Sequence, residues 1–374
     1  MCSVEGSTLS HRDYKEIYSA KVVGISRYLV LRNVVYDLTG KDLITTQEWS
    51  IDELRITLNL AKEFKWTAHY YGIGKIPPIL ERKTFFMLFF AGSTRTRAAF
   101  EAGMTYLGGH AQYISVQETR IGEGEAVKDV AAMYERYGHG LGVRVLDKAI
   151  DYRHGAGNYV IREIAKHVRI PVINMADDQF HPTQALADYM TFEELFPNAR
   201  GKKYVIMWAY SPVIRGPCSI NEDLLMFTRM GVDVTVVHPP GYDLFPDVVE
   251  LAKENAKTSG ATLEFTNDYR EALRGAHAVF PRNWASRTLQ ELGYSKHGQE
   301  ELRNYERFKE WRVTRELMDL MDRTGVLMHV MPVFRNAEAD DEVVDSPRSI
   351  LYEQAENGLW TKMSVLTLTM AGLK

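Results

Sequence analysis

An apolar run from Phe85 to Phe90 is broken by Ala91-Gly92 and followed by Ser93-Thr94-Arg95-Thr96-Arg97. Apolar residues then recur at Ala98, Phe100, Met104, Tyr106 and Leu107 before Gly108-Gly109. The run predicts a short buried strand, and the recurrence predicts a helix that stops at the glycines. The same change of period repeats along the chain. Ser50 is a natural N-cap for a helix reaching about Phe64. Helices are expected over 127–137 and 159–168, with strands over 141–144 and 170–174. His181-Pro182-Thr183-Gln184 opens a helix over 185–195, with proline in the first turn as helices prefer. A second alternating series begins at Gly201-Lys202-Lys203, with strands over 204–208, 233–237, 262–265, 278–281 and 326–329. Its helices are expected near 221–230, 246–257 and 268–274, with another inside 298–322. A last amphipathic helix over about 357–371 carries Leu359, Met363, Leu366 and Met370 on one stripe. Residues 1–42 show no clear period, and Arg27 to Leu31 reads as a strand or an appended arm.

Strands alternating with helices predict an α/β fold of two doubly wound parallel-sheet halves, joined near residue 182. No G-x-G-x-x-G follows any strand, which counts against dinucleotide binding. The length of 374 residues suits two domains. A net charge of -4 gives no reason to expect nucleic acid or an anionic membrane as partner. Cys2 and Cys218 supply neither a disulfide framework nor a metal cluster, which fits a reducing, cytoplasmic compartment. No run of about 18 apolar residues and no signal-peptide core is present.

The chemistry gathers where strands end. Hydroxyls, arginines and free backbone N–H groups at a helix N-terminus make an anion cradle, and Ser93 to Arg97 supply all three. The helix dipole and guanidinium forks favour a dianionic phosphate there. The plain alternative is a capped surface helix with two solvated arginines. Three further motifs close strands: Arg144, His181 to Gln184, and His329-Val330-Met331-Pro332. Taken singly, the arginine reads as an ion pair and the histidine before proline as a cap or turn residue.

Together, in this order and spacing, these motifs resemble the aspartate and ornithine carbamoyltransferase family over about residues 45–374. Within it the chain is most similar to the knotted branch acting on acetylated ornithine. Gly201 to Tyr210, Thr228 to Thr235, Val279 to Trp284 and Asp345-Ser346-Pro347 carry that likeness. The resemblance implies a trefoil-type knot in the second domain, formed around the Ser211 to Pro217 loop. It also implies an N-terminal extension over 1–44, then a carbamoyl phosphate-binding domain over 45–181, rejoined by the C-terminal helix 347–374. An amine-substrate-binding domain over 182–346 and a homotrimer complete the expected organisation.

The activity implied is transfer of the carbamoyl group from carbamoyl phosphate to the amine of a small carboxylate-bearing substrate, N-acetylornithine-like or a related amino acid. Neither metal nor cofactor is implied. The family pattern puts Ser93, Thr94, Arg95 and Thr96 on the phosphate. Thr96, Arg144 and His181 would polarise the carbonyl, while Gln184 and the backbone at Val330 and Met331 would hold the carbamoyl NH2. Arg95, Thr96, Arg144, His181 and Gln184 form the implied catalytic set, and Arg282, Trp284, Met331 and Pro332 the amine site. Val330 replaces the cysteine of ornithine-type enzymes and Gly358 their arginine, and the signature that grips free ornithine is absent. The 118–125 loop, which reaches a neighbouring subunit in the family, has Glu123 where aspartate-type members place lysine, leaving Arg120 as its cation. That change favours the alternative, a weakened paralogue acting as a metabolite-binding regulator. A metal-dependent hydrolase built on His181 and His329 is disfavoured, because the two lie in separate motifs without ligand spacing.

Overall fold

The computed structural model describes residues 38–373, so the strand or arm expected at Arg27 to Leu31 lies outside the described residues. Helix α1 (Ile51–Tyr71) begins with a capping box in which Ser50 and Glu53 satisfy each other's backbone N–H groups. The first sheet is built from β1 (Thr84–Phe89), β2 (His110–Ser115), β3 (Gly140–Val145) and β4 (Val172–Asp177). Helices α2 (Arg95–Tyr106), α3 (Val127–Tyr137) and α4 (Ala156–Ala165) connect them. All pairings are parallel in the order β2-β1-β3-β4, which places the apolar run of β1 inside the sheet. Strand β2 was not expected. It lies at the sheet edge with half-exposed residues, so it lacks the apolar run that marks a buried strand. Residues ahead of α1 extend the other edge, where Leu43 exchanges backbone bonds with Val172 and Asn174 at 2.9 Å each.

Helix α5 (Pro182–Leu195) leads into a second sheet of β5 (Lys203–Trp208), β6 (Asp233–Val237), β7 (Leu263–Thr266), β8 (Ala278–Arg282) and β9 (Val326–Leu327). Its order is β7-β6-β5-β8-β9, again all parallel. Helices α6 (Cys218–Arg229), α7 (Pro246–Ser259) and α8 (Tyr269–Leu273) match the periodicity closely. Between β8 and β9 lie α9 (Arg287–Leu292), which was not expected, and α10 (Tyr294–Tyr305) and α11 (Arg315–Met318), which together stand where a single helix was expected inside 298–322. Gly293, at φ 93°, separates the first two. Strand β9 ends at Leu327, so His329 stands beyond it, its backbone N–H bound to the Gln354 side chain at 2.8 Å.

After the short α12 (Asp341–Val344), helix α13 (Leu351–Met370) packs against α1, α2 and α5. It starts six residues before the expected boundary, and the amphipathic stripe is not what it presents. Asn357, Thr361, Ser364 and Thr367 are buried along with the apolar residues, because three helices surround it.

Each sheet contains one point where strand order reverses, between β1 and β3 in the first and between β5 and β8 in the second. Crevices at the carboxyl ends of such strand pairs are where open α/β sheets take ligands. In register, Phe89 faces Arg144 across the first reversal, and Trp208 faces Arg282 across the second. One arginine therefore closes each crevice.

Candidate active site

Strand β1 leads directly into the first turn of α2. Thr94 occupies the N-cap without a side-chain cap, and the first intrahelical bond runs from Ala98 N to Thr94 O at 3.2 Å. The N–H groups of residues 95–97 thus remain for a ligand at the positive end of the helix. The two arginines of the motif part company. Arg97 donates to Glu101 at 2.9 Å and lies 3.7 Å from the Tyr113 ring centroid. Arg95 faces a small pocket of about 30 Å3 with Thr96, Gln184, Val330 and Met331. Two positions apart on a helix point to different sides, so only one arginine can enter the cradle. Ser93 is half-buried and Thr94 exposed at the start of the same turn.

Arg144 donates to the Met175 carbonyl at 2.9 Å, and its buried Nε has no partner among the described residues. Burial holds its guanidinium below the usual range. Arg95 is lowered by burial and by Arg144 and Arg215. Arg282 is lowered to about 9 by burial and then by Arg215, with Glu338 and Asp147 opposing. Arg95 and Arg282 thus each sit close enough to another buried or half-buried cation to disfavour their charged forms.

His181 is the N-cap residue of α5, yet its side chain makes no cap, so the dull reading of this histidine does not describe what it does. Its Nδ1 is buried without a partner. Burial, then Arg144, Lys362 and Arg282, hold the imidazole well below its ordinary range and therefore neutral. The turn that delivers it is locked by two carboxylates at the end of β4, Asp177 and Asp178. Asp177 accepts from Gln179 N at 2.7 Å, Phe180 N at 2.6 Å, Asn158 Nδ2 at 2.7 Å and Asn174 Nδ2 at 2.9 Å. Asp178 accepts from Gly155 N at 2.5 Å and Gly157 N at 2.8 Å, clamping the start of α4.

Gln184, one turn along α5, donates Nε2 to Asp188 at 2.7 Å. The facing turn is held by His329, whose Nδ1 accepts from Met331 N at 2.8 Å. The imidazole proton therefore sits on Nε2, which faces Glu338 at 3.4 Å. Met331 adopts φ 54°, a sparsely populated conformation for a residue with a side chain, and precedes Pro332 across a cis bond.

A cleft of about 750 Å3 opens beside this pocket, lined among others by Gly92, Asp147, Lys148, Tyr152, Arg215 and Pro332. Arg282 has Nε and Nη1 buried and without a partner among the described residues. Arg215, on the 209–217 loop, bonds Glu338 at 2.5 Å and the Pro332 carbonyl at 3.1 Å. Burial opposes ionisation of Glu338, but His329 and Arg215 overcome it and hold the carboxyl at about 2. Trp284 does not face the cleft. It is fully buried, donating Nε1 to the Tyr242 carbonyl at 2.9 Å while its own carbonyl accepts from Trp208 Nε1 at 3.0 Å. In the 118–125 loop, Arg120 pairs with Glu123 of the same loop.

Sequence reasoning missed Lys362, Asp188, Gln354, Arg215 and Glu338. Lys362 left a signal, a lone charge in the apolar stretch from Leu359 to Met370. It is buried beside Arg95 and Gln184, donates to Gly358 O at 3.0 Å, and burial lowers its ammonium to about 8. Among the described residues no cluster of three or more His, Cys, Asp or Glu is placed to hold a metal ion, and no helix is long and apolar enough to cross a membrane.

Comparison with known proteins bears on this geometry directly. Family models for the carbamoyl phosphate-binding domain and the Asp/Orn-binding domain of aspartate/ornithine carbamoyltransferases match residues 41–194 and 203–369. The chain belongs to the aspartate/ornithine carbamoyltransferase family. It is a carbamoyltransferase. The anabolic ornithine carbamoyltransferase of Pyrococcus furiosus is 34% identical over 91% of this chain and 100% of its own. The solved structure of ornithine carbamoyltransferase from Pyrococcus furiosus superposes with a TM-score of 0.79 at 33% identity, over 90% of this chain and 99% of that one. An acetylornithine transcarbamylase complexed with acetylcitrulline superposes with a TM-score of 0.79 at 30% identity, over 88% and 99%. Similarity to both kinds is equal in fold, which leaves the choice of amine to the residues of the cleft.

Proposed function

We propose that this carbamoyltransferase moves the carbamoyl group of carbamoyl phosphate to the amine of a small carboxylate-bearing substrate, N-acetylornithine or a related amino acid. The observation that carries the reading is a set of cations at the carboxyl ends of both sheets: Arg95, lowered by burial and by Arg144 and Arg215, with Arg144 and Arg282, which burial lowers and which keep buried nitrogens without partners among the described residues. Phosphate rests on the α2 N-terminus with Ser93, Thr94, Arg95 and Thr96. The carbonyl oxygen meets Thr96, Arg144 and His181, where donors match the negative charge that builds as the amine attacks. Gln184 Oε1 and the backbone at Val330 and Met331 take the carbamoyl NH2. The new C–N bond forms as the C–O bond to phosphate breaks, and the amine proton leaves with phosphate. Positioning and electrostatics supply the rate without a covalent enzyme intermediate.

Arg282 takes the substrate carboxylate, for which a planar guanidinium offers a bidentate fork. Met331 and Pro332 border the same space, while Trp284 braces it from the core. The carbamoyl phosphate side is assigned to 45–181 with the C-terminal helix, and the amine side to 182–346. The 211–217 loop is where the knot would form, and a homotrimer would bring the 118–125 loop to a neighbouring site. The internal Arg120–Glu123 pair is what favours the weakened regulatory alternative.

Phosphate release measured with a panel of amines separates these readings. Transfer is expected with an amino-acid-like amine, and Arg282→Ala should raise KM for that amine about tenfold or more, as loss of a charged hydrogen bond of roughly 1.5–3 kcal/mol implies. Carbamoyl phosphate affinity should stay nearly unchanged. Binding without turnover across the panel would instead support the regulatory reading.

A further inference from the structure

One buried carboxylate fixes the direction of two amides that face the small pocket. Asp188 lies one turn beyond Gln184 on α5 and is fully buried. Its Oδ1 accepts from Gln184 Nε2 at 2.7 Å and from Gln354 Nε2 at 2.6 Å. A carboxylate oxygen can only accept, so both amides must turn their NH2 groups toward it and their carbonyl oxygens away. Gln354 Oε1 then takes the backbone N–H of His329 at 2.8 Å, and His329 Nδ1 in turn takes that of Met331 at 2.8 Å. Gln184 Oε1 is left for the pocket that Gln184 lines with Arg95 and Thr96.

The acceptor character of Asp188 Oδ1 follows from geometry, since Gln354 Oε1 is committed to the His329 N–H and its NH2 group must face Asp188. Burial, then the charge of Asp188, pushes the neighbouring Asp223 carboxyl well up, and burial raises Asp188 itself to about 7. Tyr204 OH donates to Asp223 Oδ2 at 2.8 Å, and Lys362 is close enough to favour the charged form of Asp188. Swapping the polarity of this one carboxylate would therefore free Gln184 to present its NH2 to the pocket.

We propose that Asp188 is the positioning residue that makes the site select an acyl phosphate bearing an NH2 group. The inference rests on the carbamoyl phosphate reading above and goes beyond it to the source of discrimination. A site built to hydrogen-bond an NH group rejects an analogue lacking it, because its acceptor is left buried and unpaired. Acetyl phosphate is that analogue, with the same phosphate and a methyl group in place of NH2.

Calorimetry of carbamoyl phosphate, acetyl phosphate and inorganic phosphate with the full chain tests the assignment. In Asp188→Asn the side chain can donate as well as accept, and the preference for carbamoyl over acetyl phosphate should fall about tenfold or more, with inorganic phosphate held to within about twofold. Gln354→Met, which cuts the link to His329 while keeping volume, should lower the same ratio and decides the matter if Asp188→Asn does not fold. A preference that survives in the folded variant, or equal loss of all three ligands, overturns the inference. Wild-type protein that binds neither acyl phosphate removes the parent reading as well.

Discussion

His181 shows what a single side chain gains from its surroundings. It begins a helix after a proline-marked turn, as caps do, but four hydrogen bonds to Asp177 hold that turn and leave the imidazole free of capping. Its charged form is suppressed by burial and by the neighbouring cations, so on the proposed function the ring would act as a neutral donor. His181→Ala should therefore lower kcat by about 10²–10³, the loss typical of one oxyanion donor, with a smaller change in KM. Arg95→Ala should act the other way, weakening carbamoyl phosphate binding with turnover of bound substrate less affected. Since the folded pKa of His181 lies well below the ordinary value, its protonation falls at more acid pH than 6.5. The wild-type profile should carry no limb near pH 6.5 from this residue. Steady-state kinetics on both variants across pH would detect such a limb, and its disappearance in His181→Ala would refute the neutral-donor role.

At the scale of elements, buried carboxylates tie separate segments together and make stability depend on pH. Glu222 on α6 accepts on Oε1 from Thr45 Oγ1 at 2.9 Å, Thr46 N at 2.7 Å and Thr46 Oγ1 at 2.5 Å. Its Oε2 is buried without a partner. Burial outweighs these bonds and raises the carboxyl from 4.5 to about 7. The folded protein thus binds this proton more tightly than the unfolded chain. Stability from the group is full below pH 4.5 and falls as the pH rises through about 7. Glu222→Gln keeps the acceptor at Oε1 and removes the charge. It should raise Tm at pH 8 by about 2–4 °C, because each tenfold difference in proton affinity between folded and unfolded chain is worth roughly 1.36 kcal/mol and a chain of this length melts with a large entropy. The two proteins should converge below pH 4.5. Melting curves at both pH values check this, and a variant less stable at pH 8 would show that the carboxylate charge is needed.

For the whole molecule, the decisive feature is that each strand-order reversal ends on a buried arginine, Arg144 or Arg282, and that both act on His181. The chain carries a net charge of -4, yet Arg95, Arg144, Arg215 and Arg282 act on one another through the site. An anion that neutralises them should stabilise the fold. Carbamoyl phosphate at one hundred times its Kd should add about 2.7 kcal/mol, seen as a higher Tm in thermal scans. Arg95→Ala should lose most of that gain, and an unchanged Tm in wild-type protein would argue that the cations do not form a common anion site.

The sequence by itself determined the alternation of strands and helices, both parallel sheets, the strand-to-helix turn at Ser93 to Arg97 and the family. Those properties depend on local period, on turn residues and on motifs whose members lie within one or two turns of each other. Strand β2 escaped because an edge strand needs no apolar run, and α13 was misdrawn because a helix enclosed by others needs no polar face. Only the tertiary structure decided that Arg95 enters the pocket while Arg97 leaves it, and that Trp284 belongs to the core. It alone joined Asp188 to Gln354 and Arg215 to Glu338, partners 166 and 123 residues apart. No spacing along the chain encodes such pairs, because packing of α5 against α13 and closure of two loops on each other bring them within hydrogen-bonding distance.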